Sequence, residues 1–202
     1  MHDALAIVSG LVGVVSVFPY LLDTVKGKTH PNVVTWFVWT LLNGLICLAA
    51  LSGHAIQTAI FSGIFALSTA SVVAAGLRTG VRKYTGFDIG CFVLAICGVV
   101  AWKLTSDPSA AVLFNLIADL IGVLPTYRHA WMKPTEETWQ AYAIGGLSAI
   151  IGLASIQLYG FLSTSYPAYL LASDLFLVFL ILYRRGIGQT RQAEDVTGTL
   201  KS

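Results

Sequence analysis

Two carboxylates stand in apolar surroundings where water should be scarce. Asp119 lies in NLIADLIGVLP (115–125), and Asp174 in YLLASDLFLVF (169–179). A charged side chain at the centre of a bilayer costs about 2.5–3.5 kcal/mol on insertion scales, so each is expected to face a bundle interior or a watery cavity rather than lipid. Asn115 and Gly122 fall at i−4 and i+3 from Asp119, on one helix face. That face offers an acid, an amide and a gap for a ligand or a close backbone approach. The competing reading is a structural Asp satisfied by neighbouring hydroxyls. Trp36, Trp39 and Asn43 follow at i, i+3 and i+7. Trp36 suits a membrane-interface belt, whereas an aromatic face beside the deeper Asn43 suits an uncharged polar ligand or interhelical hydrogen bonding.

The elements that position these residues are apolar spans. Of the 202 residues, 56% are hydrophobic and only 11% charged; mean hydropathy is +0.76. Soluble domains carry roughly a quarter charged residues, so a bilayer is the expected solvent. Seven stretches have the length of a crossing helix: Ala4–Leu22, Val33–Leu51, Ile56–Leu77, Phe87–Leu104, Ala110–Arg128, Trp139–Tyr159 and Pro167–Arg185. The first lacks the basic start of a cleavable signal. The polar tail from Gly186 (186–202) is expected to be disordered.

Basic residues orient the spans. With the N-terminus outside, eleven Lys and Arg fall on the cytoplasmic side, among them Lys26, Lys28, Arg82, Lys83 and Lys133, against Lys103 alone outside. The positive-inside rule then places the C-terminus in the cytoplasm, with a plasma or inner membrane as the expected location.

The chain also reads as a duplication. Pro19 matches Pro125 and Arg78 matches Arg184 at an offset of 106, while Trp36, Trp39 and Asn43 match Trp139, Tyr142 and Gly146 at 103. A three-helix unit is shorter than this offset, so one helix separates the copies and both point the same way. The expected fold class is an all-α membrane protein: seven transmembrane helices forming two parallel three-helix bundles joined by a linker helix (3+1+3). The units are 1–78 and 109–185, with 79–108 between them. Pro19 and Pro125 each remove a backbone donor near a cytoplasmic helix end and are candidate hinges, a static kink being the alternative.

Paired prolines, the loop Lys26-Gly27-Lys28-Thr29-His30-Pro31-Asn32 and a tryptophan opening the second and sixth helices resemble the SWEET and PQ-loop transporter superfamily, across nearly the whole chain. The family's glutamine after the proline is replaced by Tyr20 and Thr126. The resemblance implies that polar residues of the third and seventh helices line a central cavity; counting from Arg78 and Arg184, these are Ser68 and Asp174. It further implies that Asp119 and Asp174 couple protons to substrate, as intramembrane aspartates do in cystinosin-like members.

The expected function is transport of a small polar solute, a sugar or an amino-acid-like metabolite, by alternating access. The site would comprise Trp39, Asn43, Ser68, Asn115, Asp119 and Asp174. The alternative is a non-transporting receptor or scaffold binding a small ligand or peptide, since the plan also resembles the KDEL receptor; this chain has no mid-membrane Arg or Lys to pair with a peptide terminus. One chain holds both halves, so no dimer is needed to complete a pore, and higher oligomers stay open.

Absences narrow the field. The seventh helix has no lysine for a retinal Schiff base, and no histidine lies at membrane depth. No phosphate-binding loop is present. No enzyme activity, cofactor or metal is expected. A net charge of +2, spread over short loops, gives no footprint for nucleic acid. Cys47, Cys91 and Cys97 lack metal-site spacing and read as packing residues.

Overall fold

The computed structural model describes residues 2–52, 56–79, 84–104 and 108–199. Among these the chain is all-helical, with seven α-helices: α1 (His2–Val25), α2 (Val33–Ser52), α3 (Ile56–Thr79), α4 (Gly86–Leu104), α5 (Pro108–Met132), α6 (Trp139–Ala154) and α7 (Phe161–Thr199). A short 3-10 turn, Pro134–Glu136, precedes α6.

Local chemistry sets the helix ends. α1 stops at Gly27, whose φ of 68° is in the left-handed region; Lys28 N–H bonds to Asp23 O and Gly27 N–H to Thr24 O, a Schellman cap. Asn32 begins α2, its side-chain oxygen accepting Val34 N–H at 3.1 Å. Thr85 and Asp88 form a reciprocal capping box on α4: Thr85 N–H donates to Asp88 Oδ2 at 2.7 Å and Asp88 N–H to Thr85 Oγ1 at 3.3 Å.

Three boundaries differ from expectation. α6 ends at Ala154, and the expected last turn becomes a connection in which Ser163 Oγ binds the Leu158 and Gly160 carbonyls. Pro167 lies inside α7, not at its start. α7 also continues to Thr199 through the segment expected to be a disordered tail; its Gln, Arg, Ala and Glu residues are good helix formers. Pro19 and Pro125 likewise sit inside continuous helices, so neither interrupts its helix. Lys83 and Arg82 lie outside the described residues.

The helix contacts close a ring. α1 packs on α3, α3 on α2, α2 on α5, α5 on α7, α7 on α6 and α6 back on α1. The order 1-3-2 in the first half therefore repeats as 5-7-6 in the second, and α4 sits outside the ring against α5 and α2.

Polarity is distributed inside out. Ile7, Leu11, Val15, Phe18 and Leu22 form an exposed stripe along α1, while Thr24, Thr35, Thr69 and Thr126 are fully buried. Two helical segments, His2–Val25 and Ser163–Ile187, are long and apolar enough to cross a membrane.

Candidate functional site

A cavity of about 130 Å³ lies inside the ring. α2 supplies Trp36, Trp39 and Asn43 to its wall, α5 supplies Asp119, α6 supplies Tyr142 and Gly145, and α7 supplies Tyr166 and Asp174. Asp119 is 3% exposed. It accepts a 2.6 Å hydrogen bond from the Tyr169 hydroxyl and has the Trp39 indole alongside. The Asp174 carboxylate packs over Gly145, where any Cβ would collide with it. A second cavity of about 250 Å³ shares Gly13, Asn43, Phe65, Ser148, Tyr166 and Leu170, and extends toward the end where α1 begins through Gly10, Val14 and Ser62.

The opposite end, which carries the basic loops, is closed by a buried polar cluster. Glu137, 1% exposed, accepts hydrogen bonds at Oε2 from Tyr20 (2.9 Å) and Tyr142 (3.0 Å), while its Oε1 meets His129 Nδ1 at 2.8 Å. Arg185 of α7 holds the Glu137 carbonyl at 2.6 Å and the Pro134 carbonyl at 2.9 Å, fixing the turn that presents Glu137. Thr138 hydrogen-bonds Thr29 at 2.6 Å and donates to Asp23 at 3.0 Å. His30 N–H donates to the Glu136 carbonyl at 3.0 Å. Tyr20, Asp23, Thr29 and His30 belong to the first half of the ring and Glu136, Glu137 and Thr138 to the second, so these bonds span the two halves.

The cluster favours a protonated imidazole at His129. Burial alone would lower the His129 pKa, but the hydrogen bonds and charges of Glu137 and Glu136 outweigh it and raise the imidazole above its ordinary 6.5. Burial would raise Glu136, yet Lys133 at 3.0 Å and His129 at 3.2 Å hold it below 4.5.

Of the expected site residues, Trp39, Asn43, Asp119 and Asp174 come together at the cavity. Ser68 and Asn115 are not among its lining residues. Ser68 turns back to donate to the Ile64 carbonyl at 2.9 Å, and the neighbouring Thr69 takes the lining position. One residue rotates a helix by about 100°, so an alignment counted from Arg78, ten residues away, misses the face by one. Gly122 leaves no room for a ligand: Val38 of α2 occupies that space. Trp36 is 3% exposed and packs on Tyr20 with ring centroids 4.4 Å apart, so it is a floor of the cavity rather than an interface anchor. Cys91 is buried, whereas Cys97 is exposed and packs no core.

Glu137, His129, Tyr20, Tyr166 and Tyr169 were not among the expected site residues. The sequence signal for the latch was Tyr20 itself, a phenol placed directly after Pro19 near the end of its apolar span. Compared with known proteins, the chain matches no family model, no curated protein and no solved structure.

Proposed function

We propose that this chain is an integral membrane carrier of a small polar solute, working by alternating access. Two parallel three-helix units, α1–α3 and α5–α7, would rock about the central cavity, with α4 as the tether. The positive-inside rule puts the basic loops in the cytoplasm and the N-terminus outside. The exposed apolar stripes of α1, α4 and α7 support a lipid-facing exterior, since water-soluble monomers rarely present such continuous surface.

The observation that carries the reading is the asymmetry of the chamber. Space continues from Asp119 and Asp174 toward one end of the bundle, while the other is shut by the Tyr20–Glu137–Tyr142–His129 cluster. One closed end and one continuing path is what a carrier needs in each half of its cycle. Asp119 and Asp174 are assigned the proton-coupling role, because they are the acidic residues of the cavity wall.

The test is flux into liposomes containing the purified chain, with an imposed pH gradient. Solute accumulation that follows the gradient, and that Asp119→Asn or Asp174→Asn uncouples, is the expected result. Saturable binding without net flux for any solute that binds would replace the carrier with a receptor.

A further inference from the structure

We infer that the chamber takes a small organic cation: a protonated amine with no carboxylate of its own and with a neutral hydrogen-bond acceptor a few bonds from the nitrogen. This rests on the carrier reading of the same cavity and narrows its substrate class.

Three observations converge. First, the cavity wall holds two carboxylates and, among the described residues, no Lys, Arg or His. Asp119 has the Tyr169 hydroxyl, but Asp174 makes no hydrogen bond among the described residues. A site with only negative formal charge repels anions; a neutral sugar can hydrogen-bond Asp174 but leaves its charge uncompensated, whereas a cation compensates it.

Second, the walls are aromatic. Trp36, Trp39, Phe65 and Tyr166 line the space beside the acids. Ring faces attract a cation within about 6 Å of the centroid, more strongly where water is excluded. Aromatic faces and carboxylates thus favour the same ligand charge.

Third, the floor contains a poorly satisfied donor. Trp36 is 3% exposed, and its indole N–H meets no acceptor in good hydrogen-bond geometry, the Tyr20 hydroxyl oxygen lying alongside it. Tyr20 stacks beside it, but its hydroxyl is directed to Glu137. A buried N–H without an acceptor is costly, so a ligand oxygen reaching the floor would complete it. Trp36 lies one helical turn from Trp39, which stands beside Asp119, so the oxygen belongs a few bonds from the charged nitrogen. A carboxylate at that position would meet the negative field of the same wall, which leaves a hydroxyl, ether or carbonyl oxygen.

Ethanolamine and 3-amino-1-propanol carry both groups, ethylamine the charge alone, glucose neither charge, and succinate the wrong one. Thermal stability and tryptophan fluorescence of the full chain in detergent are measured against each at pH 7.5. A ligand that binds the folded state raises its stability in proportion to occupancy. The amino alcohols are expected to stabilise saturably, ethylamine about 2- to 10-fold more weakly, the span of one hydrogen bond, and glucose and succinate not at all. Trp36→Phe should erase the difference between ethylamine and the amino alcohols, whatever it does to the affinity for ethylamine itself. Asp174→Asn should weaken every amine by at least about 30-fold.

Stabilisation by glucose or succinate equal to that by the amino alcohols, or no stabilisation by any amine, overturns the assignment on the unaltered protein, whatever the variants do. The same probes in liposomes separate this inference from the one beneath it. Glucose flux without amine binding removes the cation and leaves the carrier. Amine binding without flux keeps the cation site and removes the carrier.

Discussion

Tyr20 of α1 donates a 2.9 Å hydrogen bond to Glu137, 117 residues further along the chain, and neither side chain touches water. The bond joins the first half of the ring to the second at the closed end of the chamber. Glu137 takes its other phenol from Tyr142 and its imidazole from His129, both in its own half. Separation of the halves would therefore break the Tyr20 bond and leave the other two intact, which makes Tyr20 the release point of the latch.

Tyr20→Phe should accordingly favour the state open toward the basic loops. A hydrogen bond to a charged group contributes about 1.5–3 kcal/mol, enough to shift a two-state population roughly tenfold or more. The measurement is thiol labelling of Ser16→Cys, a cavity-lining position, from the basic face of oriented vesicles. Labelling should accelerate in the Tyr20→Phe background and stay unchanged with Tyr142→Phe. Equal acceleration by both would mean that the bonds do not divide between the halves as described.

The His129–Glu137 pair gives the latch a pH limb of definite sign. The imidazole is raised above its ordinary 6.5, so its contribution to stability is fully present below that value and is lost as pH rises through the higher folded-state pKa. Glu136 is depressed, so its smaller, partly exposed contribution is present above 4.5 and is lost only as pH falls through its lowered value. Thermal unfolding should show a plateau on the mildly acidic side and decline as pH rises past neutrality. His129→Gln should flatten the alkaline decline. A stability curve that rises through neutrality would reverse the assignment of charge in the pair.

The sequence disclosed the skeleton more readily than the latch. Helices were legible because apolar spans of crossing length alternate with short polar loops; the caps at Gly27, Asn32 and the Thr85–Asp88 box became clear only with their hydrogen bonds. Asp119 and Asp174 were legible because a carboxylate among leucines has few places to go. Glu137 was not: within MKPTEETW it reads as one more solvated loop acid, and only the tertiary approach of Tyr20 and Tyr142 buries it. His129 was read as a loop residue for the same reason. Ser68 shows a different limit, since periodicity finds the helix but an anchor ten residues distant does not fix its rotation.

Gly145→Ala separates packing from ligand binding. The new Cβ would collide with the Asp174 carboxylate, the far end of a side chain that can swing away, and its three nearest neighbours are all atoms of that carboxylate. Stability should change little, less than about 1 kcal/mol, in contrast with the 1–3 kcal/mol typical of overpacking a rigid core. Amine binding should fall together with the displaced carboxylate. A large loss of stability with unchanged binding would show that Asp174 is a structural element of α7 and no part of the site.

The outer helix offers the opposite control. Asp88 is 3% exposed, closes the α4 capping box with Thr85 and accepts Asn32 Nδ2 at 3.1 Å, tying the start of α4 to the start of α2. Asp88→Ala removes the cap partner and leaves the Asn32 amide without its acceptor, at a cost of about 0.5–2 kcal/mol for the cap alone. None of these groups lines the central chamber, and α4 is outside the ring. The variant should unfold at a lower temperature yet bind amino alcohols with the affinity of the unaltered chain. Asp88→Asn should recover part of the loss, because its single amide oxygen can still accept from either Thr85 or Asn32, which the carboxylate serves with separate oxygens. If Asp88→Ala instead abolished binding in protein that is still folded, α4 would be part of the machinery that shapes the chamber, and the description of it as a tether would fail.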